Sequence, residues 1–92
     1  MLKIRRNRQE IEILLDVLSS LEDSDKGIWQ IITCNNMNSE MWGKYRNMMI
    51  ELEIIKEAKP RSKRSRFMIT SRGRTLLEII RRYQSIFLIK DV

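Results

Sequence analysis

The chain has 92 residues, with 18 Lys and Arg against 12 Asp and Glu, a net charge of +6 at pH 7 and a pI near 9.9. This length suits one small domain, and 42% hydrophobic residues supply a core, which excludes a disordered basic tail. One Cys and no His exclude an internal disulfide framework and an ordinary zinc site. The longest uncharged stretch, 27–39, is too polar to span a membrane, and acids interrupt the apolar run that follows the basic N-terminus, unlike a signal peptide. We therefore expect an intracellular, cytoplasmic protein without metal or cofactor.

The charge is unevenly distributed along the chain. Residues 1–8 carry four bases and no acid, and residues 56–74 carry eight bases and a single acid, Glu57. Residues 9–55 instead carry three bases and nine acids. A solvated surface of mixed sign is the ordinary alternative. Segregation of this kind favours a basic surface that binds a polyanion, of which nucleic acid is the obvious example.

Three helices are predicted in the first half of the chain. Apolar residues at a spacing of three and four predict a helix over 9–21, and a short helix follows from Ile28 to about Asn35. The Asn-rich segment 35–38 predicts a turn, because Asn tolerates turn conformations. A third helix starts near Ser39, with Asn38 or Ser39 as its cap, and ends near Leu52.

The third helix has two different faces. One is apolar and is expected to be buried; it comprises Met41, Tyr45, Met48 and Leu52, flanked by Trp42 and Met49. The opposite face is mostly polar, and we expect it to be exposed. Its members are Ser39, Glu40, Gly43, Lys44 and Asn47, called here the outer face of the third helix.

The second half of the chain predicts a β-hairpin and a long helix. Phe67 and Ile69 alternate with Arg66 and Met68, as in a strand with one covered face, and residues 54–57 supply a first strand. The segment 59–65 between them is basic and contains Pro60, which a loop tolerates. Thr70 or Ser71 is expected to cap a final helix of about 20 residues.

Three helices, a hairpin and a fourth helix, with a short turn between the second and third helices, are the plan of the winged helix-turn-helix. Two segments carry a more specific resemblance. The first runs from Ile28 through the Asn turn to Ile55, and the second, Phe67-Met68-Ile69-Thr70-Ser71-Arg72-Gly73, resembles the close of a wing that opens the last helix. On these residues the chain resembles small winged-helix DNA-binding proteins of archaea and their viruses and plasmids. It looks like the dimeric, chromatin-associated members whose long C-terminal helix forms an antiparallel coiled coil.

The predicted fold is therefore mainly α (α+β), with a two-stranded wing. Residues 1–8 form a basic arm, 9–74 the winged helix-turn-helix domain and 75–92 a dimerisation helix that begins near 71. Double-stranded DNA is the expected partner, with the outer face of the third helix in the major groove, where Lys suits guanine O6/N7 and Asn suits adenine N6/N7. Phosphates or a minor groove would be contacted by the wing and the start of the last helix (Arg61, Lys63, Arg64, Arg66, Arg72 and Arg74) and by the arm (Arg5, Arg6 and Arg8). Arg72 and Arg74 fall in the first turn of the last helix, where the helix dipole disfavours cations, and this cost suggests an anionic partner there.

The last helix carries more apolar surface than a domain of this size covers, and we expect a homodimer through it. A helix folded back over the first helix is the alternative. The expected interface residues are Leu76, Ile80, Tyr83, Ile86 and Phe87.

No catalytic constellation is evident in the sequence, so we predict a non-enzymatic protein without a small-molecule effector. Cys34 is expected to be a semi-buried apolar residue. The favoured function is a transcriptional regulator associated with the nucleoid. A low-specificity architectural chromatin protein and a winged-helix protein–protein adaptor remain open as alternatives.

Overall fold

The computed structural model describes residues 10–58 and 64–91, with side chains as far as Ser85. The predicted arm, residues 59–63 of the wing and the side chains of Ile86 and Phe87 lie outside the described residues. Four helices and three strands follow one another, and they confirm the mainly α winged-helix fold and the start of the last helix at residue 71. They are α1 (Glu10–Ser20), β1 (Lys26–Gly27), α2 (Ile28–Cys34), α3 (Ser39–Glu51), β2 (Ile55–Ala58), β3 (Arg66–Ile69) and α4 (Ser71–Asp91).

The antiparallel sheet has three strands in the order β1-β3-β2, whereas the sequence predicted two. β2 and β3 form the hairpin, with Ile55 opposite Ile69. On the other side of β3, Lys26 lies opposite Phe67. The prediction missed β1 because two residues are too few to show the alternation that marks a strand. β3 is therefore the central strand, and its Phe67 is fully buried.

One hydrophobic core joins the helices to the sheet. Trp42 and Phe67 meet edge to face within it, with ring centroids 5.2 Å apart and an interplanar angle of 83°, a favoured aromatic geometry. The core draws on α1, α2, α3, the strands and the first half of α4. Its fully buried side chains include Val17, Leu18, Leu21, Ile31, Met49, Ile55, Phe67 and Leu77.

The buried face of α3 differs from the predicted one at its C-terminal end. Met49 is fully buried, but Leu52, expected in the core, is 47% exposed. The reason is the chain reversal that follows the helix: Glu53 adopts a left-handed conformation (φ 62°), and the amide of Ile54 donates to the carbonyl of Met49 at 3.0 Å. This is a Schellman-type helix end, which turns Ile54 inward in place of Leu52.

The turn between α2 and α3 follows the predicted Asn chemistry. Asn36 adopts a left-handed conformation (φ 54°), which Asn tolerates better than most residues. The side-chain Nδ2 of the buried Asn35 donates to the carbonyl of Ile31 at 2.9 Å. Asn38 caps α3, because its Oδ1 accepts from the amide of Met41 at 2.8 Å. These contacts set the angle at which α3 leaves α2.

The first turn of α4 is held against the end of α3. Thr70 caps α4 as predicted: its Oγ1 accepts from the Gly73 amide at 2.9 Å and donates to the carbonyl of Glu53 at 2.8 Å. The Thr70 amide also donates to the carbonyl of Ile54 at 3.1 Å. A Cβ atom at position 73 would lie 2.1 Å from that same carbonyl oxygen. Glycine is therefore required at 73 for close approach.

The first half of α4 covers α1. Leu77 and Ile80 are buried, at 2% and 3% exposure, so Ile80 offers little surface to a second chain, and its assignment to a dimer interface stays a prediction. Two hydrogen bonds from Arg81 to Glu22, at 2.9 and 3.1 Å, lower the pKa of that carboxyl and raise the pKa of Arg81.

No helix of the described residues is both long and apolar enough to cross a bilayer.

We expect Gly73→Ala to destabilise the protein by roughly 1–3 kcal/mol, because the added methyl group forces the first turn of α4 away from Ile54. Gly43→Ala is the matched control, since a Cβ atom there meets nothing within 4 Å. Alanine at 43 should stabilise α3 by about 0.5–1 kcal/mol through helix propensity. Urea denaturation of both variants measures the difference. Equal stability of the two would contradict the close approach at 73.

Candidate nucleic-acid interface

The outer face of α3 is open to solvent. Ser39, Glu40, Lys44 and Asn47 are exposed, and Gly43 is partly exposed. Lys44 extends along the helix surface, with its Nζ 5.8 Å from the centroid of the Tyr45 ring. The structure thus brings the five predicted major-groove residues together on one side of one helix. Whether they contact DNA stays a prediction.

Gly43 has no packing role within the described chain, because a Cβ atom there would meet nothing within 4 Å. Glycine in a helix interior costs about 0.5–1 kcal/mol relative to alanine. Nothing in the folding of α3 offsets that cost. A surface without a side chain does, however, let another molecule approach the helix backbone closely, so Gly43 favours a binding role for this face.

A polar network joins α3 to the wing. Arg46, on the flank of α3, donates to Glu57 of β2 at 2.7 Å and to Oδ1 of Asn47 at 2.8 Å. The hydroxyl of Ser65 donates to the second oxygen of Glu57. The predicted site residues did not include Arg46, Glu57 or Ser65. One sequence signal could have drawn attention to Glu57, because it is the single acid among eight bases in residues 56–74.

The basic residues of the wing do not all face one partner. Arg64 is exposed and forms no hydrogen bond or ion pair with any other described residue, while Arg61 and Lys63 lie outside the described part of the chain. Arg66 turns toward β1, where its guanidinium contacts the carboxylate and the carbonyl of Asp25, each at 3.2 Å. The contacts of Arg66 therefore connect β3 to the loop that precedes β1.

Arg72 and Arg74 lie in the first turn of α4, where the helix dipole disfavours cations. That cost suggested an anionic partner outside the chain. Arg72 instead has partners within it, the Glu53 carboxylate at 3.6 Å and the Leu52 carbonyl at 3.3 Å. Arg74 is exposed, and its charge contributes to the lowered pKa of Glu22. The chain itself thus offsets part of the cost that was ascribed to DNA.

No group of three or more His, Cys, Asp or Glu side chains in the described residues is placed to hold a metal ion. Cys34 is exposed, not semi-buried as predicted, because it lies at the last turn of α2 beside an open depression. That depression lies between α1 and the turn after α2. It is lined by Asp16, Ser19, Ser20, Cys34, Asn35 and Asn36.

Comparison with known proteins gives the same architecture. Residues 6–87 match the winged helix-turn-helix family. The chain belongs to this family. It is also similar to the crystal structure of Sso10a-2, a DNA-binding protein from Sulfolobus solfataricus, with a TM-score of 0.77 and 22% identity over 91% of this chain and 90% of that chain. No curated protein matches the sequence significantly.

Proposed function

We propose that the protein binds double-stranded DNA as a homodimer and acts as a transcriptional regulator. The observation that carries this proposal is the open outer face of α3, with its bare Gly43 surface, beside a basic wing. The winged helix-turn-helix family and the likeness to a DNA-binding protein of the same fold support it. The third helix is then the recognition helix in the major groove.

Affinity and specificity are expected to come from different parts of the protein. Within α3, Lys44 and Arg46 are balanced by Glu40 and Glu51, so this helix has no net charge. The excess of positive charge lies in residues 1–8 and 56–74. Contacts to phosphate supply affinity without sequence information, and contacts to base edges supply specificity. We infer that the wing and arm hold the DNA while Lys44 and Asn47 select the sequence.

The homodimer is proposed through the exposed apolar side of α4. Ile79 and Tyr83, one helical turn apart, are 56% and 52% exposed. Leu76, half-buried against the core, continues this side toward the start of the helix. Exposed apolar side chains at a helical spacing favour a helix–helix contact with a second chain. The proposed interface thus keeps Leu76 and Tyr83 from the residues predicted by the sequence. Ile79 replaces Ile80 in it, because Ile80 is buried within the chain.

Lys44→Ala and Asn47→Ala test the selection of sequence by α3. A binding selection on randomised duplex DNA, at stated salt concentrations, gives the preferred site of the wild type. Each variant should lose roughly 1–3 kcal/mol of discrimination at one base position, because a specific hydrogen-bonding pair to that base edge is removed. Affinity for unrelated duplex should change little with Asn47→Ala. If both variants select the wild-type motif, α3 does not read the sequence; a wild type that selects no motif favours the architectural alternative.

Arg64→Gln tests the wing. Loss of one phosphate contact should reduce the slope of log K against log salt by about 0.9, and by about twice that in a dimer. Arg66→Gln removes the same charge from a residue tied to Asp25 and should change the slope less. Arg64→Gln, at an exposed position, should leave the urea midpoint nearly unchanged, whereas Arg66→Gln should lower it, because the contacts to Asp25 are lost. Replacing Arg61 and Lys63 as well should flatten the slope further. An unchanged slope and affinity in the triple variant would favour the adaptor alternative, in which the wing binds an acidic protein.

Ile79→Lys and Tyr83→Lys test the dimer. Each places a charge in the proposed interface, and sedimentation at tens of micromolar should show monomer where the wild type is a dimer. Both side chains are exposed, so the fold itself should persist by circular dichroism. Ser85→Lys is the control, because Ser85 is exposed on a different side of the same helix. A monomeric wild type would overturn the proposed dimer.

A further inference from the structure

Arg46 is placed between the outer face of α3 and the wing, and it contacts both. One guanidinium nitrogen donates to Oε1 of Glu57 at 2.7 Å, and the other terminal nitrogen donates to Oδ1 of Asn47 at 2.8 Å. The guanidinium carbon also lies 5.7 Å from the centroid of the buried Phe67 ring. Three separate contacts therefore hold one side chain that is only 33% exposed.

These contacts fix the direction in which Arg46 donates. The hydroxyl of Ser65, a residue with 9% exposure, donates to Oε2 of Glu57 and so holds that carboxylate in place. Glu57 in turn holds one end of the guanidinium. Because the guanidinium is a rigid planar fork, the bond from one terminal nitrogen to Glu57 and the position of its carbon over the Phe67 ring restrict where the other nitrogen points. That nitrogen points at Asn47.

The chemistry of arginine then decides the orientation of the Asn47 amide. A guanidinium offers hydrogen-bond donors and no acceptor, so only the oxygen of the amide can face it. The Nδ2 group, with its two donor hydrogens, must face away from Arg46. Among the described residues no partner is recorded for this nitrogen. An isolated surface Asn would rotate its amide freely, whereas this one is held in one orientation before any ligand binds.

We propose that Arg46 is a positioning residue for base recognition, which presents Asn47 to DNA as a hydrogen-bond donor. This inference rests on the proposed DNA-binding function. In the major groove a donor suits the O6 and N7 acceptors of guanine and opposes the N4 amino group of cytosine. Adenine and thymine each offer such a donor a single acceptor, N7 or O4, and a bond from adenine N6 would have to share Oδ1 with Arg46. We therefore expect guanine, with its two acceptors, to be preferred at the position contacted by Asn47 and cytosine to be disfavoured, whereas the sequence alone suggested adenine.

Replacing the guanidinium of Arg46 tests this positioning role. In Arg46→Met the preference for guanine over the other bases at the Asn47 position should fall roughly tenfold, the scale of one specific base contact. Arg46→Lys keeps the charge but not the fork, so it should lose the preference as well while largely keeping the salt dependence. In the Asn47→Ala background, Arg46→Met should change base preference no further. Arg82→Met, which removes an exposed arginine of α4, is the control and should leave the preference unchanged.

A second measurement keeps the inference testable without DNA. The side-chain Nδ2 hydrogens of Asn47 give two ¹⁵N-correlated NMR signals. In the free wild type their shifts should differ from those of an unrestrained Asn, and Arg46→Lys and Glu57→Gln should both move them toward such values. This readout also applies if Arg46→Met fails to fold.

The outcomes separate this inference from the proposed function. Absence of DNA binding by the wild type overturns the proposed function and, with it, the base contact. If DNA is bound and Asn47→Ala loses discrimination, but Arg46→Met and Arg46→Lys select the wild-type motif, the function stands and the positioning role is wrong. Rescue of base preference by Arg46→Lys would likewise contradict it, because charge alone would then suffice.

Discussion

The contact between the first turn of α4 and the carbonyl of Ile54 governs the arrangement of the whole domain. A helix leaves carbonyls without partners at its C-terminal end and amides without partners at its N-terminal end. Here the turn after α3 presents the carbonyls of Glu53 and Ile54, and Thr70 donates to both. The absence of a side chain at Gly73 lets the first turn of α4 come close enough to the Ile54 carbonyl for these hydrogen bonds to form. Because the start of α4 is fixed, this helix packs against α1, Leu77 and Ile80 are buried, and Ile79 faces outward.

The same turn also fixes the β2–β3 hairpin relative to α3. The chain passes from the end of α3 through Ile54 directly into β2, so only a few residues separate the two elements. Glu57 then lies within reach of Arg46, and the pairing of β2 with β3 brings Ser65 to the same carboxylate. A change in the angle between α3 and the wing would break this network. Helix and wing therefore present one surface of fixed shape, as simultaneous contact with base edges and phosphates requires.

The sequence was sufficient for features set by local chemistry and insufficient for those set by long-range partners. The Asn turn, the Asn38 and Thr70 caps and the periodic helices follow from neighbouring residues, and all were predicted. Leu52 was misplaced because helical periodicity was extended one residue past the end of α3 at Glu51, to the position just before the left-handed Glu53. Arg66 and Arg72 were grouped with the wing because proximity in sequence cannot show that Asp25 and Glu53 lie beside them. Ile80 was assigned to the dimer interface by its helical spacing from Leu76 and Tyr83, and spacing along a helix cannot show that the folded chain buries this residue.

The carboxylates that pair with Arg46 and Arg72 within the chain affect how strongly these two arginines can attract a polyanion. Exposed ion pairs are worth little, so a phosphate can compete for their cations. The Arg72–Glu53 pair, with side chains 65% and 75% exposed, is of this loose kind. The Arg46–Glu57 pair is only 33% and 27% exposed, and Ser65 and Phe67 hold it further. In the proposed complex with DNA, Arg72 would exchange its carboxylate for a phosphate, whereas Arg46 would keep Glu57. The residue proposed to orient Asn47 would thus keep its own ion pair while the exposed cations pair with phosphate.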